Sequence, residues 1–131
     1  MKLITRDTDY AVRALCYIAG HKKKTVSAAE LVKKLKIPRP FLRKILQVLQ
    51  KEGILRSYKG KGGGFQATAP LEGVLLVDVI KVFQGPLQLN ECVFKKKLCP
   101  NRNRCTLRKK IIRIEERAVS DLEAITIGSL R

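Results

Sequence analysis

The chain has 131 residues, the length of one domain or of a small domain with an attached arm. Its 28 Lys plus Arg against 11 Asp plus Glu leave a formal net charge of +17, which points to a polyanionic partner, nucleic acid ahead of an anionic membrane. With no run of ~18 apolar residues, no signal peptide and no lipidation motif, a membrane protein is excluded and a cytoplasmic one expected, and there cysteines are more often metal ligands, redox groups or core than disulfides.

Residues 8–20 (TDYAVRALCYIAG) set Ala11, Ala14, Leu15 and Ile18 at the i, i+3, i+4, i+7 rhythm of an amphipathic helix that Gly20 ends. Cys16 falls beside that stripe with Val12 and Ala19 and reads as a packed structural thiol. Asp9 stands in the first turn, where the helix dipole stabilises a carboxylate. After a basic turn at His21 and Lys22 to Lys24, Ser27-Ala-Ala-Glu30 forms a capping box ahead of Leu31, Val32 and Leu35. This second helix stops at Lys36 and Ile37, because Pro38 biases its predecessor away from helical geometry. Pro38 and Pro40 fit only the first turn of a third helix, which runs to Lys51 and is closed by Gly53. Two helices joined by a few residues make a helix-turn-helix candidate.

The third helix is two-faced: Phe41, Leu42, Ile45, Val48 and Leu49 form an expected core stripe, and Arg39, Arg43, Lys44, Gln47, Gln50 and Lys51 face outward. A merely solvated face mixes charge signs, whereas this one has no acid before Glu52. Arg and Gln are also the side chains that pair bidentately with guanine and adenine in the major groove. Ile54 to Tyr58 and Phe65 to Thr68 read as two strands around Lys59-Gly-Lys-Gly-Gly-Gly64, a glycine tip that can bring lysines against a phosphate backbone or minor groove. A nucleotide-binding loop is not supported, since GxxxxGK[ST] is absent and no helix opens directly after the glycines. Helix-turn-helix plus basic hairpin is a winged helix, with Ser27, Arg39, Arg43, Lys44, Gln47, Lys59 and Lys61 as candidate DNA contacts.

Residues 74–84 (VLLVDVIKVFQ) predict a fourth helix with Leu75, Val79 and Val82 or Phe83 inward, ended by Gly85-Pro86. Then comes CVFKKKLCPNRNRCTLRKKIIR, residues 92–113, with Cys92, Cys99 and Cys105 among nine Lys or Arg and no acid. Neighbouring cations and a helix N-terminus favour thiolates, the form that ligates metal. Gaps of six and five residues are not the C-x2-C of a zinc knuckle. Loops this long can wrap an iron-sulfur cluster, one ligand short of four. Beyond the cysteines, Leu107, Ile111, Ile114, Ala118, Leu122 and Ile125 are spaced 4, 3, 4, 4 and 3, close to a coiled-coil seam. A small winged head has little surface to cover so long a stripe, so the seam predicts a homodimer.

The start Met1-Lys-Leu, Thr8-Asp-Tyr-Ala-Val-Arg13, the Leu49 to Gly53 turn, the Lys59 to Phe65 wing and the cysteine trio together resemble the Rrf-two family of winged-helix transcription regulators. The resemblance spans nearly the whole chain and rests most on the wing, similar to the family's RGxxGGY pattern, and on the trio of its cluster-binding branch. It implies a homodimer on a palindromic operator in double-stranded DNA, carrying a [2Fe-2S] or [4Fe-4S] cluster. Lys59 and Phe65 replace the wing's usual Arg and Tyr, and the gap after Cys92 is one residue longer than the commonest form. Members that regulate cluster biogenesis place a histidine where this chain has Arg108, which stays protonated and cannot ligate. Members that sense nitric oxide use an aspartate near the start of helix one, donated across the dimer, and Thr8–Asp9 matches it. Asp9 is therefore the leading candidate for fourth ligand, with Asp7, Glu91, water or a small thiol as alternatives. The biogenesis regulators carry an acid at the position of Arg43, so their operator does not transfer.

The expected protein is mainly α with a small β-hairpin, a winged helix-turn-helix plus a long C-terminal dimerisation helix. Residues 1–85 would bind DNA, 86–106 hold the cluster and 107–131 dimerise. The expected function is transcriptional regulation with operator affinity set by the cluster. The competing reading is a zinc-stabilised or cluster-free dimeric scaffold. An enzyme is disfavoured: no acid-base pair clusters, and His21, the single histidine, lies in a lysine-rich turn.

Overall fold

Thr5 decides where the chain first turns helical. In a computed structural model, which describes residues 2–21, 25–87 and 104–131, Thr5 is extended and its Oγ1 accepts the Thr8 N–H at 3.4 Å. Helix α1 (Arg6–Gly20) thus begins two residues before the expected start at Thr8, because the cap and not the apolar stripe sets its start. Ser27 caps α2 (Ala28–Leu35) by accepting the Glu30 N–H at 3.1 Å. In a full capping box Glu30 would reach back to the Ser27 N–H. Its Oε2 instead takes the Tyr17 hydroxyl at 3.0 Å and lies 2.8 Å from His21 Nε2, tying α2 to the end of α1. Lys36, left-handed at φ 56°, ends α2 two residues before Pro38, and α3 (Arg39–Lys51) follows with Pro40 in its first turn.

Strands β1 (Leu55–Tyr58) and β2 (Gly64–Ala67) pair antiparallel, from Leu55 opposite Ala67 to Tyr58 opposite Gly64. Val26 extends the hairpin on its other edge, exchanging backbone bonds with Phe65 at 2.9 and 2.7 Å. Gly64 is needed there: at φ +151° any Cβ would run into the Val26 carbonyl. Helix α4 (Leu76–Gln84) ends at Gly85, φ 75°, and α5 is Thr106–Glu123. The chain after α5 returns to the head, where Thr126 bridges Leu75 and Ile127 is fully buried.

The main core gathers Ala11, Ala14 and Leu15 of α1, Leu31 of α2, Leu42, Ile45, Leu46 and Leu49 of α3, Leu55, and Ile127 from the far end of the chain. A second cluster joins Leu76, Val77 and Ile80 of α4 to Leu122 of α5. Two inward assignments shift. Phe41 is exposed rather than core and carries the Arg6 guanidinium 4.3 Å above its ring, while Leu46 takes the buried place. In α4 the buried residues are Leu76, Val77, Val79 and Ile80, with Leu75 serving as the cap and Val82 and Phe83 half-buried.

Candidate nucleic-acid interface and thiol site

Helix α3 buries one arc and exposes another. At about 3.6 residues per turn, Leu42, Ile45, Leu46 and Leu49 share the core side, and Arg43, Lys44, Gln47 and Lys51 fan across the opposite one. All four are exposed, as is Arg39 at the first position of the helix. No acid lies in its first turn, so its cationic face meets no internal neutralisation from its own sequence. Lys44 sits at the flank of that fan, beside Asp7 on the rim of a 160 Å³ crevice between α1, α3 and α4. Ser27, half-buried, spends its oxygen lone pair on the α2 cap and keeps its hydroxyl proton to donate.

The wing is held at both root and tip. Thr25 Oγ1 donates to the Gly62 carbonyl at 2.9 Å, and the Gly63 N–H to the Gly60 carbonyl at 2.9 Å, so Lys59 and Lys61 project from a braced loop. Both lysines are exposed and line an open groove of about 360 Å³ with Thr25, Tyr58, Gln66 and the loop glycines. Tyr58 is a contributor the sequence reading left unassigned. The period-2 alternation of β1, with Leu55 inward, puts it on the outer face, and Gly64 opposite offers no side chain to cover it.

Near the start of α1, Asp9 is half exposed and its Oδ2 lies 2.9 Å from Arg13 Nε, one turn on. Thr8, its neighbour, is fully buried and donates to Gln84 Oε1 at 2.8 Å, which gives the Thr8–Asp9 pair a structural element of its own. Cys105 is the N-cap of α5: its Sγ accepts the Arg108 N–H at 3.4 Å, and its thiol is half-buried and not in a disulfide. A sulfur held at a helix N-terminus has the donor chemistry an iron site requires. Cys92 and Cys99 lie outside the described residues, among which no group of three or more His, Cys, Asp or Glu gathers to hold a metal ion. Cys16 packs beside the main core as expected, and burial raises its thiol pKa while the Arg131 charge acts in the opposite sense.

Helix α5 buries only Leu122 among its residues. Leu107 is 66% and Ile114 55% exposed, and Ile111 and Ala118 are half-buried. Ile125, just past the helix, packs with Leu122 against α4. None of the described helices is long and apolar enough to cross a membrane.

The family model for iron-dependent transcriptional regulators of the Rrf-two type matches residues 4–131. This chain belongs to the Rrf-two family. As a member it is a DNA-binding transcriptional regulator and not an enzyme. It is 30% identical over 128 residues to protein aau3 of Rhizobium meliloti, covering 97% of this chain and 83% of that one. Against a protein of Aquifex aeolicus named as an HTH-type transcriptional regulator it is 34% identical over 90 residues, 69% of this chain and 62% of the relative's length. Among solved structures, CymR, the global cysteine regulator of B. subtilis, superposes with TM-score 0.80 at 21% identity, over 99% of this chain and 96% of that one. IscR of T. potens superposes at TM-score 0.68 and 24% identity, over 99% and 85%. These likenesses establish the winged-helix fold of this Rrf-two regulator.

Proposed function

We propose that this regulator binds a palindromic operator as a homodimer and that an iron-sulfur cluster, [2Fe-2S] or [4Fe-4S], sets its operator affinity. Residues 1–85 carry the DNA contacts, 86–106 the cluster and 107–131 the dimer helix. The observation that carries the reading is Cys105 as the cap of α5: one residue both ends the cysteine stretch and starts the helix whose apolar side faces outward. Cys92, Cys99 and Cys105 would hold the cluster, with Asp9 of the partner subunit as the fourth ligand. Bound there, the group would supply reversible electron transfer and an iron open to small molecules such as oxygen or nitric oxide. Asp9 is available for that role, because an exposed i, i+4 pair such as Asp9 with Arg13 is worth only about 0.3–0.5 kcal/mol. Leu107, Ile111, Ile114 and Ala118 form the seam with a second copy, while Leu122 and Ile125 anchor its end on the head. On the DNA side, Arg39, Arg43, Lys44 and Gln47 enter the major groove, Lys59 and Lys61 follow the backbone or minor groove, and Ser27 donates to a phosphate.

The test is anaerobic reconstitution read by visible absorption and native mass spectrometry. Wild type should be coloured, Cys92→Ala, Cys99→Ala and Cys105→Ala colourless, and Cys16→Ala unchanged. Mixing Asp9→Ala with Cys92→Ala subunits should restore one native-like site per heterodimer, since cross-subunit ligation puts both defects in the same site. A colourless wild type with stoichiometric zinc would instead establish the scaffold reading, in which the thiols serve structure alone.

A further inference from the structure

Gln84 is the last residue of α4, where a side chain is ordinarily solvated, yet its amide reaches 76 to 81 residues back along the chain with both of its polar atoms. Its Oε1 accepts the Thr5 N–H at 3.0 Å and the Thr8 hydroxyl at 2.8 Å, and its Nε2 donates to the Leu3 carbonyl at 3.1 Å. The Thr5 and Thr8 hydroxyls are themselves 3.0 Å apart. One amide thus holds the cap, the first turn and the lead-in of α1. Thr8 is fully buried, so withdrawal of Gln84 takes from its hydroxyl an acceptor and leaves it the Thr5 hydroxyl as neighbour.

The same first turn touches the recognition helix. Arg6, next to the cap, lies with its guanidinium 4.3 Å from the ring centroid of Phe41, in the first turn of α3. Phe41 is otherwise an exposed aromatic, 38% accessible, on a helix whose remaining outward face is polar. One residue further, Asp7 shares its crevice with Lys44, Ile45 and Val48 of α3 and Val82 and Phe83 of α4. Three elements therefore meet at one turn, and Gln84 is the polar tie between two of them. Gly85 follows at φ 75°, and Cys92 stands eight residues beyond Gln84 in sequence.

We propose that Gln84 is a positioning residue for DNA recognition: it clasps the first turn of α1, and that turn sets the start of α3 through Arg6 on Phe41. This rests on the regulator reading for its consequence but not for its geometry. A displacement of the α4 end either breaks three hydrogen bonds or carries the first turn of α1, and with it the N-terminal end of the recognition helix. The end of α4 and the DNA-reading helix are thereby linked through the first turn of α1.

The test measures hydrogen exchange along the full chain of Gln84→Leu. The hydrogen-bonded amides of Thr8 and Asp9 at the start of α1 and of Leu42 at the start of α3 should exchange faster, by about tenfold, with α2 and the hairpin at wild-type rates. Unchanged exchange in α3, or an acceleration spread evenly over the molecule, overturns the proposal and leaves Gln84 a residue of local or general stability. If Gln84→Leu does not fold, Gln84→Glu keeps the acceptor and loses the donor to Leu3, and a smaller rise in the same two places is expected. A duplex recovered by wild type from a random-sequence pool supplies the second readout. Gln84→Leu should weaken binding several-fold more in the presence of Arg6 than in Arg6→Ala, because distant, uncoupled sites add. Equal losses in the two backgrounds overturn the proposal. A protein that recovers no duplex refutes the regulator reading instead, and exchange, which needs neither DNA nor metal, still decides for Gln84.

Discussion

Helices α3 and α5 are both amphipathic by pattern, yet they meet opposite fates. Helix α3 buries Leu42, Ile45, Leu46 and Leu49 in the main core, and what it leaves outside is cationic. Helix α5 buries Leu122 and leaves Leu107 and Ile114 in the open. An exposed cationic arc on a buried helix is stable in water and waits for a polyanion. An exposed apolar side is not, and a contiguous one marks an interaction surface. Helix α3 thus finds its apolar partners within one chain, whereas α5 leaves apolar side chains exposed, and on the proposed reading a second copy covers them.

The most severe way to break the comparison is to charge the open side of α5. On the proposed homodimer, Ile111→Glu with Ile114→Glu should give monomers in analytical ultracentrifugation and lower operator affinity by orders of magnitude, because two linked half-site contacts would become one. The head should keep its melting transition, because neither residue belongs to its buried core. The mirror experiment is Leu46→Ala, which removes a fully buried side chain of α3 and should cost about 2–5 kcal/mol in denaturant unfolding while leaving the oligomeric state of the folded protein as in wild type. Next in size is the outer arc itself. Arg43→Ala should lose about 1–3 kcal/mol of base discrimination in competition binding, and Lys59→Ala or Lys61→Ala should weaken all sequences alike and flatten the salt slope by about 1. A salt slope near zero in wild type would remove DNA from the account of the +17 charge.

The smallest effect concerns Cys16, on the core side of the comparison. Its thiol pKa is raised by burial above the ordinary 9.0, with Arg131 pulling the other way. The folded state therefore keeps a proton that the unfolded chain releases. The resulting stability is present below pH 9.0 and is lost as pH rises through the folded value. Urea unfolding of wild type and Cys16→Ala should run parallel at neutral pH and converge slightly above pH 9.0, and the Cys16 alkylation rate should lag that of a free thiol.

Local chemistry alone determined much of this protein. Periodicity, Pro38 and Pro40, and the glycine tip were enough to predict the helix-turn-helix, the hairpin and the length of α3, because these depend on backbone preferences of neighbouring residues. The cationic arc and the three-cysteine stretch were legible for the same reason: residue type and spacing state them directly. Only tertiary structure decided which of several equivalent apolar residues goes inside. Phe41 lies out under Arg6 while Leu46 goes in, since α1 takes up that flank of α3, and a helical wheel has no knowledge of α1. It also decided that Ile127, beyond α5, completes the core of the head, and that Glu30 turns from its own cap to His21 and Tyr17. Gln84 carried no signal of its own: a glutamine at a helix end is unremarkable until the fold brings Leu3, Thr5 and Thr8, some 80 residues earlier, within reach of one amide. Contacts of that kind depend on how the elements pack, and no local rule of sequence encodes a pairing between chain segments so far apart.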